Sequence, residues 1–345
     1  MSKTIFRIGH EEVGPGESRI VQLRVARLYD HTEMRLPVKV VRGRKDGPRL
    51  FVSAALHGDE INGTEIIRRL LRHTALKKLR GTLLAVPVVN VFGFNNQSRY
   101  LPDRRDLNRS FPGSIRGSLT ARLAHIFLRE IVEQSTHGID LHTGAIHRTN
   151  LPQIRASLAH PETAQLAPQF PVPVILNSTA PDGSLRKAAL DRNIPYLLFE
   201  GGEALRFDEV SIRSALAGIV QVMRAIGMLP ERRRPGRRML KPAIALSSQW
   251  IRAPQSGLLR MKKGLGDHVE SGEVLGQISD PFEERTVSVR AKETGIIIGH
   301  GQIPLVSRGD ALFHVATFRD LSTVRDNLDQ LDDLYAAPPP EPEAD

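Results

Sequence analysis

"LFVSAALHGDE", residues 50–60, joins an unbroken apolar run to a histidine, a glycine and two acids. A strand with one wet face alternates apolar and polar residues, whereas a strand covered on both faces reads as a continuous apolar run. Leu50–Leu56 therefore predicts a buried strand, the kind found in a sheet with helices on both sides. Leu83–Asn90, Gly138–His142, Val172–Ser178 and Pro195–Glu200 predict four more. Helical patterns fill the gaps. Thr64–Leu79 places Ile66, Ile67, Leu70, Leu71 and Leu79 on a basic amphipathic helix. Ser118 caps a helix burying Leu119, Leu123, Ile126, Phe127 and Val132, and residues 208–229 form a third that ends at Gly227. The fold class is α/β.

Length and composition narrow the chemistry. The 345 residues suffice for one large domain and a small one, and no stretch reaches the roughly 18 consecutive apolar residues of a membrane helix. The start, Met1 to His10, lacks the apolar centre of a secretory signal, which predicts a cytoplasmic protein with no membrane partner. Zero cysteines exclude disulfides, thiolate ligands and a cysteine nucleophile, so any metal must be held by His, Asp or Glu. The net charge of +10 favours anionic substrates or acidic peptides. Aromatics make up only 5% and do not interleave with the basic residues, so no nucleic-acid partner is expected.

The basic run Arg232–Arg238 reads as a solvated linker, beyond which helical periodicity gives way to short glycine-punctuated strands. The expected organisation is a catalytic domain over 1–230, a basic linker over 231–243, a small all-β domain over 244–320 and a helix with a Pro/acid-rich disordered tail over 321–345. The small domain resembles the barrel-sandwich of biotinyl and lipoyl carriers. Ser279-Asp280-Pro281-Phe282 stands where a carrier would present its modified lysine, so the shape is expected without the prosthetic group.

The strand ends carry the chemistry. His57 and Glu60 are three residues apart and can converge on one ion if the chain turns, a turn that Gly58 permits. Alone, such a pair is a weak signal. But "GIDLHTG" ends a second strand in His142, "LLFEGG" ends a third in Glu200, and ligands in open α/β sheets bind at the carboxyl ends of strands. Two imidazoles and one carboxylate with an open position make a catalytic zinc site. Glu200 is then left either to accept the proton of an attacking water or to act as a ligand itself. Asp140, two residues before His142, can hydrogen-bond that imidazole. In the loop "SRYLPDRRDLNRSFPG", residues 98–113, Arg109 beside Asn108 suits a substrate carboxylate, and Arg99 can add a contact or polarise a carbonyl.

Taken together, "HGDE" (57–60), "DLNRSFPG" (106–113), "DLHTG" (140–144) and "FEGGE" (199–203) resemble the succinylglutamate desuccinylase/aspartoacylase family, relatives of the zinc carboxypeptidases, over roughly residues 40–320. The resemblance implies a carboxypeptidase-like mixed sheet flanked by helices. It also implies one zinc ion on His57, Glu60 and His142, Glu200 as general base and acid, and Asn108–Arg109 on the substrate carboxylate. Arg99 matches the carbonyl-polarising arginine in competition with Arg104 and Arg105, and Arg186 or Arg192 matches a further family arginine. The implied activity is removal of an acetyl- or succinyl-type group from an N-acyl amino acid. The rivals are a carboxypeptidase trimming an amino acid such as glutamate, and a non-catalytic adaptor. Homo-oligomerisation is left open.

Overall fold

Four parallel strands carry the strand ends just described. They are Arg80–Val86, Lys45–Ala54, His137–Gly144 and Tyr196–Glu203, in that spatial order. The computed structural model describes residues 5–231 and 240–335, with side chains to 331. Antiparallel strands extend the parallel core on both sides. Glu33–Arg42 and Ser18–Arg27 follow Arg80–Val86, while Arg148–Ala156, Gly295–Gly301, Ala311–Thr317 and Ser247–Arg252 follow Tyr196–Glu203. The result is a large mixed sheet with helices and a C-terminal set of β-strands, the expected fold class.

Side-chain alternation along Lys45–Ala54 explains its continuous hydrophobicity. Leu50, Val52 and Ala54 pack with Ile66, Ile67 and Leu70 of the helix Asn62–Arg72 and with Ile212, Ala215 and Ile219 of the helix Glu209–Ala225. Phe51 points the other way, its ring centroid 6.0 Å from Phe127 and 6.2 Å from Tyr196. Each such buried side chain contributes roughly 1.5–3 kcal/mol. Glycine at 63 lets the first helix lie against the sheet, because a Cβ there would come 2.5 Å from that of Ala54.

Local chemistry sets the helix ends. Ser118 Oγ accepts the Ala121 amide, and Asp208 caps Glu209–Ala225 through the Ser211 amide. The helix expected over Thr64–Leu79 stops at Arg72 instead. His73 turns extended, and its ring accepts the Ala75 amide to open a separate 3₁₀ turn over Thr74–Lys78.

Three strands of the large sheet were not expected. Ser18–Arg27 and Glu33–Arg42 alternate buried and exposed residues, a one-sided pattern unlike the continuous runs of the core. Arg148–Ala156 breaks its pattern with buried Asn150, Pro152 and Gln153. It pairs with Tyr196–Glu203 and with Gly295–Gly301, so C-terminal strands join the same sheet as the parallel core. A separate four-stranded sheet, ordered Thr286–Arg290, Val274–Ser279, Gly257–Met261 and Leu305–Val306, lies in the C-terminal region. Asp280 ties the turn after Val274–Ser279 by accepting the amides of Phe282 and Arg285, at the place where a carrier lysine would stand. A helix spans Leu321–Tyr335, while most of the basic linker (232–239) and the acidic tail (336–345) lie outside the described residues.

Candidate metal centre and substrate cleft

The strand register brings the sites together. Glu200 pairs directly with His142, and Ala54, three residues before His57, pairs with Leu141. Beyond Ala54 the chain bends through Ala55, held at φ +48°, a conformation unusual for a residue with a Cβ. The bend is pinned by hydrogen bonds from Val89 N to Ala54 O and from Asn90 N to Ala55 O. Gly58 was expected to supply the turn. It does not adopt positive φ; its role is close approach, since a Cβ there would lie 2.1 Å from the carbonyl carbon of Gly93.

Glu60, 2% exposed, sits between the two imidazoles. Its Oε1 lies 2.7 Å from His57 Nδ1 and its Oε2 2.7 Å from His142 Nδ1. One ligand atom from each of the three side chains falls within 4.8 Å of the others, so the group could hold a metal ion. The far nitrogens are held by aspartates. His57 Nε2 is 3.2 Å from Asp106 Oδ1, and His142 Nε2 is 2.7 Å from Asp140 Oδ2. Asp140, fully buried, also accepts from Ser53 Oγ at 2.6 Å and Tyr196 Oη at 2.9 Å. With each Nε2–H donated to an aspartate, each Nδ1 lone pair confronts a carboxylate oxygen of Glu60. Only a proton or a cation can occupy that gap, which is the donor chemistry a divalent ion requires.

The electrostatics agree with that geometry. Burial alone would raise the Glu60 carboxyl, yet the charges of His57 and His142 outweigh it and hold the group well below the usual carboxylate range. Burial likewise opposes a charged His142, but Asp140 and Glu60 carry it well above the ordinary imidazole value, and Glu60 and Asp106 raise His57. Asp106 is depressed against its burial by His57 and Arg99.

A cleft of about 240 Å³ opens on this centre. Among the competing arginines, Arg99 lines it, donating to Glu60 Oε1 and Asp106 Oδ2 at 3.1 Å each. Arg104 and Arg105 are exposed and do not line it. Arg186 lines it, whereas Arg192 pairs with Glu133 away from it. Asn108 and Arg109 are also present, although Asn108 Oδ1 already accepts the Leu185 amide and Arg109 Nη1 donates to Asn108 O. Glu200 receives Asn150 Nδ2 and Arg155 Nη2 on the same oxygen, Oε2, each at 2.9 Å.

Several contributors escaped sequence reasoning. Asp106 begins the quoted "DLNRSFPG" stretch, and its position two residues before Asn108 was the available signal. Asn150 and Arg155 lie on the unexpected strand. Trp250, from Ser247–Arg252, lines the cleft while stacked 4.8 Å from His314, with the Arg148 guanidinium 5.4 Å from its ring centre. Burial, aided by Arg155, pushes the His314 imidazole down to about 3, so it is neutral.

The sequence profile of the succinylglutamate desuccinylase/aspartoacylase catalytic domain matches residues 46–226. The chain is 26% identical over 292 residues, 81% of its length and 85% of the relative's, to N-alpha-acetyl-L-2,4-diaminobutyric acid deacetylase of Halomonas elongata. In fold it is similar to a succinylglutamate desuccinylase/aspartoacylase from Rhodobacter sphaeroides, with TM-score 0.78, 24% identity, and 88% and 95% of the two chains covered. It is likewise similar to the product-bound ectoine utilization protein of Ruegeria pomeroyi, with TM-score 0.77, 23% identity, and 86% and 94% covered. The profile spans more than half of the chain, which therefore belongs to the succinylglutamate desuccinylase/aspartoacylase family.

Proposed function

We propose that this protein is a zinc-dependent amidohydrolase that removes an acyl group from a small N-acyl amino acid. The observation that carries the reading is the pair of Nδ1 atoms turned onto the two oxygens of Glu60 while aspartates hold the opposite nitrogens. His57, Glu60 and His142 would hold one zinc ion per chain, which when bound supplies Lewis-acid polarisation of a carbonyl and a more acidic water.

The chain's own residues do the rest. Glu200 takes a proton from the attacking water and returns it to the amine nitrogen as the C–N bond breaks. Asn150 and Arg155, both on Oε2, fix its carboxylate. Arg99, anchored by Glu60 and Asp106, stabilises the oxyanion that forms on the scissile carbonyl, and Arg109 with Asn108 binds the substrate carboxylate. The aspartates orient the rings, as partners of metal-ligating histidines do. The name of the Halomonas relative, a deacetylase of an acetylated amino acid, supports this substrate class. So does the size of the cleft, below the roughly 300–1,000 Å³ of ordinary ligand pockets, which favours a small acyl amino acid over a peptide tail.

The test strips metal with a chelator, titrates zinc back, and screens N-acetyl and N-succinyl amino acids beside glutamate-ended peptides for released amine. Metal-dependent release from acyl amino acids is expected. Release from peptides alone would make the protein a carboxypeptidase, and release from none would refute the enzymatic reading.

A further inference from the structure

The chemistry leaves a second cavity unused. It measures about 880 Å³, against 240 Å³ for the catalytic cleft, and falls within the roughly 300–1,000 Å³ of ordinary ligand pockets. It opens at the other edge of the sheet. Its wall includes Lys45 and Arg80, register partners that begin the parallel strands Lys45–Ala54 and Arg80–Val86, whereas the metal centre lies at the carboxyl ends. Backbone hydrogen bonds tie the walls together: Gly16 N donates to Arg42 O, Gly43 N to Gly81 O, and Arg80 N to Met228 O. Glycine at 43 permits the close approach, since a Cβ there would lie 2.1 Å from Leu79 O. The cavity is a built feature of the fold.

Its charge is one-sided. Arg44, Lys45, Lys77, Lys78 and Arg80 line it, all of them exposed, and none has a side-chain hydrogen bond or ion pair among the described residues. Arg42 and Arg224 also line it but are engaged, Arg42 with Val13 O and Asp46. The carboxylates on the lining are Glu231 and Glu17, and Glu17 already accepts the Gly14 amide. Other surface arginines gather on acids: Arg24, Arg27 and Arg35 share Glu33, and Arg68 and Arg69 share Glu65. Five unpaired like charges around one concavity repel one another, and its low-dielectric walls focus their field inward, which draws in an anion.

We propose that this cavity is a second anion site, separate from the catalytic cleft, that binds a small ligand bearing two or three phosphate groups. Each phosphate group carries about −1.5 to −2 at pH 7, so two or three of them match five cations within one compact molecule, whereas a dicarboxylate leaves most unmatched. The donors suit phosphate as well. Arg44 and Arg80 offer planar forks, and the three lysines offer compact, mobile ammonium charges. No aromatic ring lines the cavity among the described residues, so the stacked bases of a nucleic-acid strand find no platform. The site uses none of the residues assigned to hydrolysis and stands whether or not that reading holds.

The experiment titrates inorganic tripolyphosphate by calorimetry into the metal-free full chain, because tripolyphosphate would strip zinc from the loaded one. The wild type should bind it saturably. The triple variant Arg44→Gln/Lys77→Gln/Lys78→Gln should weaken binding by roughly tenfold or more, with Lys77→Gln alone intermediate. Unchanged circular dichroism checks that these exposed substitutions leave the fold intact. The control Lys262→Gln/Lys292→Gln/Arg308→Gln removes the same charge from exposed positions in the C-terminal β region and should bind as the wild type does. No binding by the wild type, equal loss in the control, or full binding by the cavity variant overturns the proposal. So does a hexaglutamate peptide that binds as tightly as tripolyphosphate, or an affinity that keeps rising with the length of a single-stranded oligonucleotide, either of which would mark a face for an acidic macromolecule.

Discussion

The cleft has two kinds of lining. At the metal corner every polar atom of His57, Glu60, Asp106, Asp140 and His142 has a partner within the chain. On the strand Arg148–Ala156 and the helix Leu185–Leu190, the cleft residues Arg155 and Arg186 leave Nε, and buried Gln153 of the same strand leaves both amide atoms, without a partner among the described residues. A closed network fixes geometry, which chemistry on a scissile bond demands; an open set of polar groups leaves affinity to be supplied by a ligand. On the proposed reading, the first corner carries the reaction and the second is left to meet the substrate.

The contrast can be broken at Glu200, which is held by Asn150 and Arg155 of the second group and pairs in register with His142 of the first. Glu200→Gln keeps the shape but removes the proposed base. Turnover of acyl amino acids should fall by roughly 10²–10⁴-fold with zinc content unchanged, checked by amine release and metal analysis. Breaking the closed corner should act on the metal instead. Asp106→Asn leaves His57 without its anionic partner, and zinc affinity measured by competitive chelation should drop by about 10–100-fold.

Proton and metal should also compete at that corner, with a definite sign. In the metal-free protein His142 is raised, so its ion pairs stabilise fully below its unfolded value and are lost as pH climbs through the raised one. Glu60 and Asp106 are depressed, so their contribution is complete above the ordinary carboxylate range and disappears only in strong acid. Zinc requires deprotonated imidazoles. The gain in Tm on adding zinc should therefore widen as pH rises from about 6 to 9, read by calorimetry with and without metal. The smallest effect is expected at Tyr196→Phe, which removes one of three donors to Asp140. A cost of about 1–2 kcal/mol in unfolding free energy, with activity falling only a few-fold, would sharpen the view that the network orients rather than reacts.

The parallel core was legible because burial on both faces writes itself as continuous apolar runs, and the motif at each strand end announced a shared edge. What stayed hidden depends on pairings between distant segments. His57 and Asp106 are 49 positions apart, and nothing local links them. Arg148–Ala156 mixes Asn, Gln, Pro and Arg because it serves the cleft as well as the sheet, which erased its strand pattern. Trp250 reaches the cleft only because C-terminal strands pair onto that same element. At Gly58 the residue type was informative but its cause was misread: it answers to crowding by Gly93 rather than to backbone freedom.

The central claim is that His57, Glu60 and His142 together hold a divalent cation. Crystals of the zinc-loaded protein, measured on either side of the zinc absorption edge, should give one anomalous peak per chain about 2.0–2.2 Å from a nitrogen of each imidazole and an oxygen of Glu60. Full loading with the peak elsewhere, or no peak with the three side chains still closed on one another, would contradict it.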